Sequence, residues 1–373
     1  MKIALAASLA MASTALVAQS VPQPNSGAPE TAPAFNLAEG KAAVERLAAI
    51  LERDFLNPDA GRAYAAMLRA NLGSGAYDKH KDARSFAEAV TADIQAVHPD
   101  GHLTLQPPPY ARPAPQAGSA ASAPRPTPQP GIQKAAWIAP GIAYISFSDF
   151  LGDPAMLEKL RAFLGAHRDA KTLIIDARVH RGGGLDEMDI LFPVIFGSTQ
   201  TLVHMDTRRA VEEAGRGVLQ DGATLRRIAG PDEIIRREHI VLPAPDATPL
   251  RTAKVYLLTS PRTGSAGEHL SLALKRTGRA TLIGETTAGA GNFGDMHDLG
   301  GGYRAFVPIG GTFDPVTGKG WEGTGVQPDV DVSAERALYE ALVRAGVSPQ
   351  EAERLSAAYR PVGPMDRRIK LRN

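Results

Sequence analysis

Apolar residues recur at three- and four-residue spacing early in the chain. Val44, Leu47, Ala48, Leu51 and Phe55 make the stripe of one amphipathic helix. Arg62 to Leu72 predicts a second helix. A third carries Phe86, Val90, Ile94 and Val97 on its apolar face, with Ser85 as N-cap and Glu88 three residues on. It stops at His98-Pro99-Asp100-Gly101, which suit a turn, and His102 to Leu105 then read as extended. Beyond residue 132 the pattern changes. Ile142 to Phe147 alternates as a strand, and Asp153-Pro154 opens a helix with Asp as cap and Pro at the first helical position. Thr172 to Ile175 is a short apolar run typical of a buried strand, followed by Gly182-Gly183-Gly184 and a helix from Leu185 to Phe196. Residues 200–250 yield only short strands. Lys254 to Thr259, Ser265 to Thr277 and Ala280 to Gly284 then read as strand, helix and strand, and Gly294 to Pro308 as a hairpin around Gly300-Gly301-Gly302. Strands alternating with helices indicate an α/β core preceded by a small helical domain.

Composition sets the boundaries. Residues 1–20 read as a secretory signal peptide: Met1-Lys2, an apolar stretch to Val17, then small residues allowing cleavage after Ala18 or Ser20. The stretch is short for a membrane span, which needs about 20 apolar residues. Residues 21–35 are a Pro-rich disordered leader, 36–106 the helical domain, and 107–132 a Pro/Ala-rich linker. Residues 133–345 form the core and 346–373 a polar, basic tail. Lys+Arg at 41 against Asp+Glu at 40 leaves a formal charge of +1, which favours neither nucleic acid nor an anionic membrane as partner. The chain has no cysteine, which excludes thiolate chemistry, disulfides and an anchor on an N-terminal Cys. Export to a bacterial periplasm or the medium is the expected destination.

The chemistry centres on Ser265. It lies in Thr263-Gly264-Ser265-Ala266-Gly267-Glu268, after a buried strand and at a helix start. A helix N-terminus offers unpaired N–H groups and partial positive charge to a developing oxyanion. The same position also suits an N-cap serine. The first glycine of the α/β-hydrolase elbow is missing. No P-loop pattern surrounds Gly182-Gly183-Gly184, and His297 and Asp298 lack metal-ligand spacing. No cofactor or metal is expected.

Several ordered motifs together resemble one family. They are Ile174-Ile175-Asp176-Ala177-Arg178 with Gly182-Gly183, Leu258-Thr259-Ser260 through Glu268, Leu274 to Ala280, Ile283 to Gly289, and Trp321-Glu322-Gly323-Thr324-Gly325-Val326-Gln327-Pro328-Asp329-Val330. This set resembles the serine-peptidase superfamily of C-terminal processing (tail-specific) peptidases, tricorn protease and interphotoreceptor retinoid-binding protein. The resemblance implies a Clp protease/crotonase-like core of stacked βαβ units. One branch uses a Ser–Lys dyad, but Glu285 to Gly291 holds no Lys, and Lys275 is too early. The other branch, with tricorn, takes a His from the N-terminal region and a downstream Glu. His102 and Glu322, 57 residues past Ser265, occupy those places.

The resemblance thus implies that Ser265 attacks an acyl carbon, His102 takes its proton and Glu322 orients the base side. The oxyanion would be held by the N–H of Ala266 and one from the Gly182-Gly183 turn. Two departures stand out: Gly101 replaces the serine that precedes the base in tricorn, and His180-Arg181 replace Asn and Gly before the glycines. Asp176 and Arg178 are expected to brace that turn. The implied function is an exported, metal-independent serine peptidase acting on peptides or unfolded protein segments. A binding module for apolar ligands and an esterase on the same scaffold are the alternatives.

Overall fold

A computed structural model of the chain describes residues 35–108 and 131–367. The signal peptide, most of the leader and most of the linker lie outside these residues. Three helices open the described chain: α1 (Leu37–Asp54), α2 (Pro58–Ser74) and α3 (Ala83–Val97). Asn36, Asn57 and Asp82 cap them, each accepting backbone N–H groups of the first turn. The cap of α3 is therefore Asp82, not Ser85, whose N–H is the group being capped at 2.8 Å. Two acceptor oxygens and a negative charge at the helix N-terminus favour the aspartate over a hydroxyl.

The chain continues through β1 (Leu105–Gln106), β2 (Ile132–Ala139), β3 (Ile142–Phe147), α4 (Pro154–Ala166), β4 (Thr172–Asp176) and α5 (Asp186–Ile195). Next come β5 (Gln200–Arg208), α6 (Arg209–Glu213), β6 (Leu225–Ile228), β7 (Ile234–Val241), β8 (Lys254–Thr259), α7 (Ala266–Arg276) and β9 (Thr281–Gly284). The hairpin β10 (Asn292–Gly300) and β11 (Tyr303–Phe313), then β12 (Val330–Asp331), α8 (Ala337–Arg344) and α9 (Pro349–Ala358), complete it.

Two sheets result. The first runs β12-β9-β8-β4-β3-β2 and is parallel apart from the β2–β3 pair. Its parallel strands need crossovers, and α4 and α7 supply two of them. Every residue of β3 and β4 is buried, which is why β4 reads as a continuous apolar run; β3, read as an alternating strand, is instead buried on both faces. Helices α4, α5 and α7 cover one face through Leu160, Phe163, Leu191, Phe192, Leu270 and Leu274. Helices α8 and α9 cover the other with Leu338, Leu342 and Leu355. The expected C-terminal tail thus begins with a packed helix. Only Ala352 and Leu355 of α9 are buried, too few to register as a pattern, yet burying one leucine is worth about 2 kcal/mol.

The second sheet runs β1-β11-β5-β7-β6, with β10 on β11, and is antiparallel. Its long strands β5 and β7 fall in the region where the sequence predicts only short ones. Helices α1 to α3 share a core with the hairpin, Val44, Leu47, Phe86 and Ile94 meeting Leu299, Tyr303, Ala305 and Val307. Among the described residues no helix is long and apolar enough to cross a membrane.

Candidate active site

Strand β8 leads into a six-residue turn that delivers Ser265 to the head of α7. The turn is braced on the loop after β4. Thr263 Oγ1 donates to the Ala177 carbonyl at 2.8 Å, Ser260 Oγ to that of Arg178 at 2.5 Å, and the Gly264 N–H to that of His180 at 2.9 Å. Ser265 has φ 55° and ψ −118°. Among the described residues it is the one non-glycine with positive φ. Such a backbone costs on the order of 1–3 kcal/mol and persists only where its surroundings over-determine it.

Glu268 is what over-determines it. The carboxylate is fully buried. Oε2 accepts from the N–H groups of Ser265 (2.9 Å) and Ala290 (2.8 Å), and Oε1 from Thr287 Oγ1 (2.6 Å) and the Gly289 N–H (2.7 Å). Burial raises its pKa, while these four donors act in the opposite direction.

The glycine turn abuts the serine. A Cβ on Gly182 would stand 2.8 Å from that of Ser265, and one on Gly183 only 1.7 Å from the Phe150 carbonyl oxygen. Both residues have φ +128°, so glycine is required twice over. The Gly182 N–H donates to His180 Nδ1 at 3.1 Å. His180 is completely buried, and desolvation pulls its pKa down to about 4, so the ring is a neutral acceptor at neutral pH. Arg181 pairs with Asp149 at 2.6 Å. His180 therefore supports the turn from within, while Arg181 pairs at the surface. Asp176 and Arg178, anticipated as braces of that turn, form a buried ion pair at 2.6 Å, with Tyr144 on the carboxylate and the Ala334 carbonyl on the guanidinium. Of the two glycine N–H groups anticipated for an oxyanion, that of Gly182 is thus engaged. Among the described residues the N–H groups of Gly183 and Ala266 have no protein acceptor.

His102 follows α3 on a turn fixed from several sides. Asp100 Oδ1 accepts from the N–H groups of His102 (2.8 Å) and Leu103 (2.9 Å), and Oδ2 from Asn292 Nδ2 at 2.8 Å. Gln95 grips the same turn through Asp100 and Leu103. The imidazole, half-buried, stacks on Phe306 with ring centroids 4.9 Å apart. Gly101 fits where a side chain would not, since its Cβ would lie 2.8 Å from the Gly289 carbonyl oxygen and 3.0 Å from Ala290 Cβ. Its N–H donates to Glu322 Oε1 at 2.6 Å. The other oxygen of Glu322 accepts from the N–H groups of Gly291 (2.6 Å) and Asn292 (2.9 Å). Burial, then the nearby Asp100 carboxylate, push Glu322 up to about 8.

These contacts make one construction. Residues 287–292 form a strap that Glu268 holds at 287, 289 and 290, and Glu322 at 291 and 292. The first carboxylate also grips the Ser265 turn and the second the His102 turn. Of the residues anticipated from sequence, Ser265, Ala266, Gly182 and Gly183 adjoin one another. His102 and Glu322 come to the same strap from opposite ends of the chain. Lys275 points elsewhere, to the Gln327 carbonyl at 2.6 Å and Asp329 at 3.1 Å. The sequence reading gave no role to Glu268, Asp100 or Asn292. Glu268 had one visible signal, a carboxylate at the third position of a helix that starts with serine.

Comparison with known proteins gives the frame. The sequence model of peptidase family S41 matches residues 141–332. The chain is 31% identical over 117 residues to carboxyl-terminal-processing peptidase 1, chloroplastic, of Arabidopsis thaliana. That alignment covers 31% of this chain and 23% of the relative, so less than a quarter of its length. A crystal structure from Parabacteroides merdae superposes with TM-score 0.51 at 14% identity, over 87% of this chain and 99% of that one. The tricorn protease gives TM-score 0.48 at 14% identity, over 86% of this chain and 36% of its own. At 14% identity the likeness to the Parabacteroides merdae structure concerns the fold alone.

Proposed function

The chain belongs to peptidase family S41, of serine-type peptidases, and from that premise we propose that it is an exported peptidase whose nucleophile is Ser265. The observation that carries this reading is the backbone of Ser265. A strained non-glycine residue at a strand-to-helix turn, with a glycine pressed against its Cβ, has a cost that capping a helix does not require. Ser265 Oγ attacks the acyl carbon while neutral His102 takes its proton. The oxyanion is received by the N–H groups of Ala266 and Gly183, each such donor being worth about 3 kcal/mol in the barrier. Glu322 acts on the base through the backbone, holding the His102 turn by the Gly101 N–H. The substrate is a peptide or an unfolded protein segment, C-terminal segments included, met in the periplasm or the medium after removal of residues 1–20.

A fluorophosphonate probe tests this directly. Intact mass should show one adduct, mapped to Ser265, absent from Ser265→Ala and at least about 100-fold slower to form in His102→Ala. Absence of an adduct on folded protein, or its persistence in Ser265→Ala, would overturn the reading. Turnover of esters without turnover of peptides would make the chain an acyl hydrolase instead. Retention of the chain in the cytoplasm with its N-terminus still at Met1 would remove the export part.

A further inference from the structure

We propose that His180 is a positioning residue for the hydrolysis: its ring nitrogen locks the glycine turn in the arrangement that leaves the Gly183 N–H to the oxyanion formed over Ser265. This deepens the peptidase reading and rests on it. Successive glycines have little preference of their own between peptide orientations, so a turn built on Gly182 and Gly183 is fixed only by what holds it. Two bonds do so. The Gly182 carbonyl accepts the Phe150 N–H at 2.8 Å, and the Gly182 N–H donates to His180 Nδ1 at 3.1 Å. A trans peptide sends its C=O and N–H in opposite directions. The Phe150 bond therefore turns the Gly183 N–H, in the same peptide unit as the Gly182 carbonyl, away from residue 150. The ring bond holds the preceding unit and with it the φ of +128° at Gly182, beside Ser265, whose Cβ a Cβ on Gly182 would meet at 2.8 Å.

The same residue reaches the nucleophile. The His180 carbonyl accepts the Gly264 N–H at 2.9 Å, and the ring packs so closely on α7 that a Cβ on Gly267 would stand 2.9 Å from Nδ1. Main chain and side chain of one residue thus fix the serine turn and the glycine turn against each other. Nδ1 accepts because it carries no proton, which places the proton on Nε2. Among the described residues Nε2 has no protein acceptor, and the ring meets Phe150 edge to face with centroids 4.3 Å apart. A histidine that only filled space would gain nothing over a leucine and would still bury an unbonded donor. Protonation makes Nδ1 a second donor and breaks the lock. Burial is the larger influence on the ring and keeps it neutral down to about pH 4, with Asp149 and Arg181 acting in opposite senses. Its packing partners Phe150 and Gly267 carry no charge.

His180→Leu and His180→Asn test the assignment. Leu Cδ1 and Asn Oδ1 stand as many bonds from Cα as Nδ1 does, but only the amide oxygen accepts. On a quenched peptide His180→Leu should lose about 100-fold in kcat with KM within about twofold, as a misdirected oxyanion donor requires. Its affinity for a peptide aldehyde should fall by a similar factor. In that adduct Ser265 Oγ bonds to the carbonyl carbon, the C=O π bond opens onto oxygen, and the hydroxyl proton passes to His102. His180→Asn should recover all but about fivefold of the rate. A second measurement compares wild type with His180→Asn alone, so it stands even if the leucine variant does not fold. As pH falls through about 4, the acid limb of log kcat/KM should be steeper in wild type by about one unit of slope, because only the imidazole takes up the extra proton. Equal losses in the two variants, a leucine variant within about threefold of wild type in kcat, a loss confined to KM, or parallel acid limbs would overturn the role of His180. If the fluorophosphonate labels Ser265 and these outcomes fail, the peptidase reading stands without His180. If Ser265 is not labelled, both fall together.

Discussion

Replacing Gly101 by serine sets two lines of reasoning against each other. By resemblance to tricorn, a serine before the base would restore a missing hydroxyl relay and raise activity. The packing requires the opposite. A Cβ at this position meets the Gly289 carbonyl oxygen at 2.8 Å and Ala290 Cα at 2.9 Å, both backbone atoms. Relief to an ordinary 3.4 Å contact moves either the His102 turn or the strap by about 0.6 Å, and such overpacking costs about 1–3 kcal/mol. The displaced residues are the ones whose N–H groups sit on Glu268, so the shift reaches Ser265. Misplacement on this scale costs about 10- to 100-fold in rate. The measurements are Tm, the fluorophosphonate labelling rate and kcat on a quenched peptide, for Gly101→Ser and Gly101→Ala together. Both variants should lose stability and rate alike, because the Cβ and not the hydroxyl is at fault. A Gly101→Ser protein with wild-type Tm and an equal or higher rate would refute the argument.

Three further outcomes are expected. Glu268→Gln keeps the shape but turns a donor toward backbone N–H groups that had an acceptor. It should lower kcat by about 100-fold with little change in KM, read from steady-state kinetics on protein whose circular dichroism is native. His180, held near pKa 4 by burial against an unfolded value of 6.5, stabilises the fold fully above pH 6.5 and loses that contribution as pH falls toward 4. His180→Asn should flatten the decline in unfolding free energy, read from urea titrations, over this window by about 1 kcal/mol per pH unit. Glu322 has the opposite sign: its pKa is raised from 4.5 to about 8, so its contribution is complete below pH 4.5 and is lost as pH rises to 8. The Tm advantage of wild type over Glu322→Gln should therefore shrink from pH 5 to pH 8 in thermal melts.

What the sequence displayed and what it hid have separate physical causes. The parallel sheet was legible because β4 and, past Lys254, β8 are buried on both faces and carry apolar runs at their centres. Caps such as Asp153 were legible because their signature is local. Strands β5 and β7 were not, because charges interrupt their alternation and are neutralised only by distant partners. Arg237 is buried within β7 and paired at 2.7 Å to both Glu212 and Asp221, while Asp206 of β5 meets Arg236 at 2.6 Å. The same holds for the candidate site. Ser265, with its glycines and helix start, is spelled out in contiguous residues. The duties of Glu268 and of Gly101 depend on which backbone N–H groups a fold brings up from 20 or 200 positions away, and no periodicity records that.

The bond from Gly101 to Glu322 joins positions 221 residues apart, which has a consequence for biosynthesis. Until the ribosome has released residue 322, the histidine turn lacks its bond to Glu322 and the strap is held by one carboxylate instead of two. A nascent chain, or one truncated before that point, presents Ser265 beside a strap that only Glu268 holds.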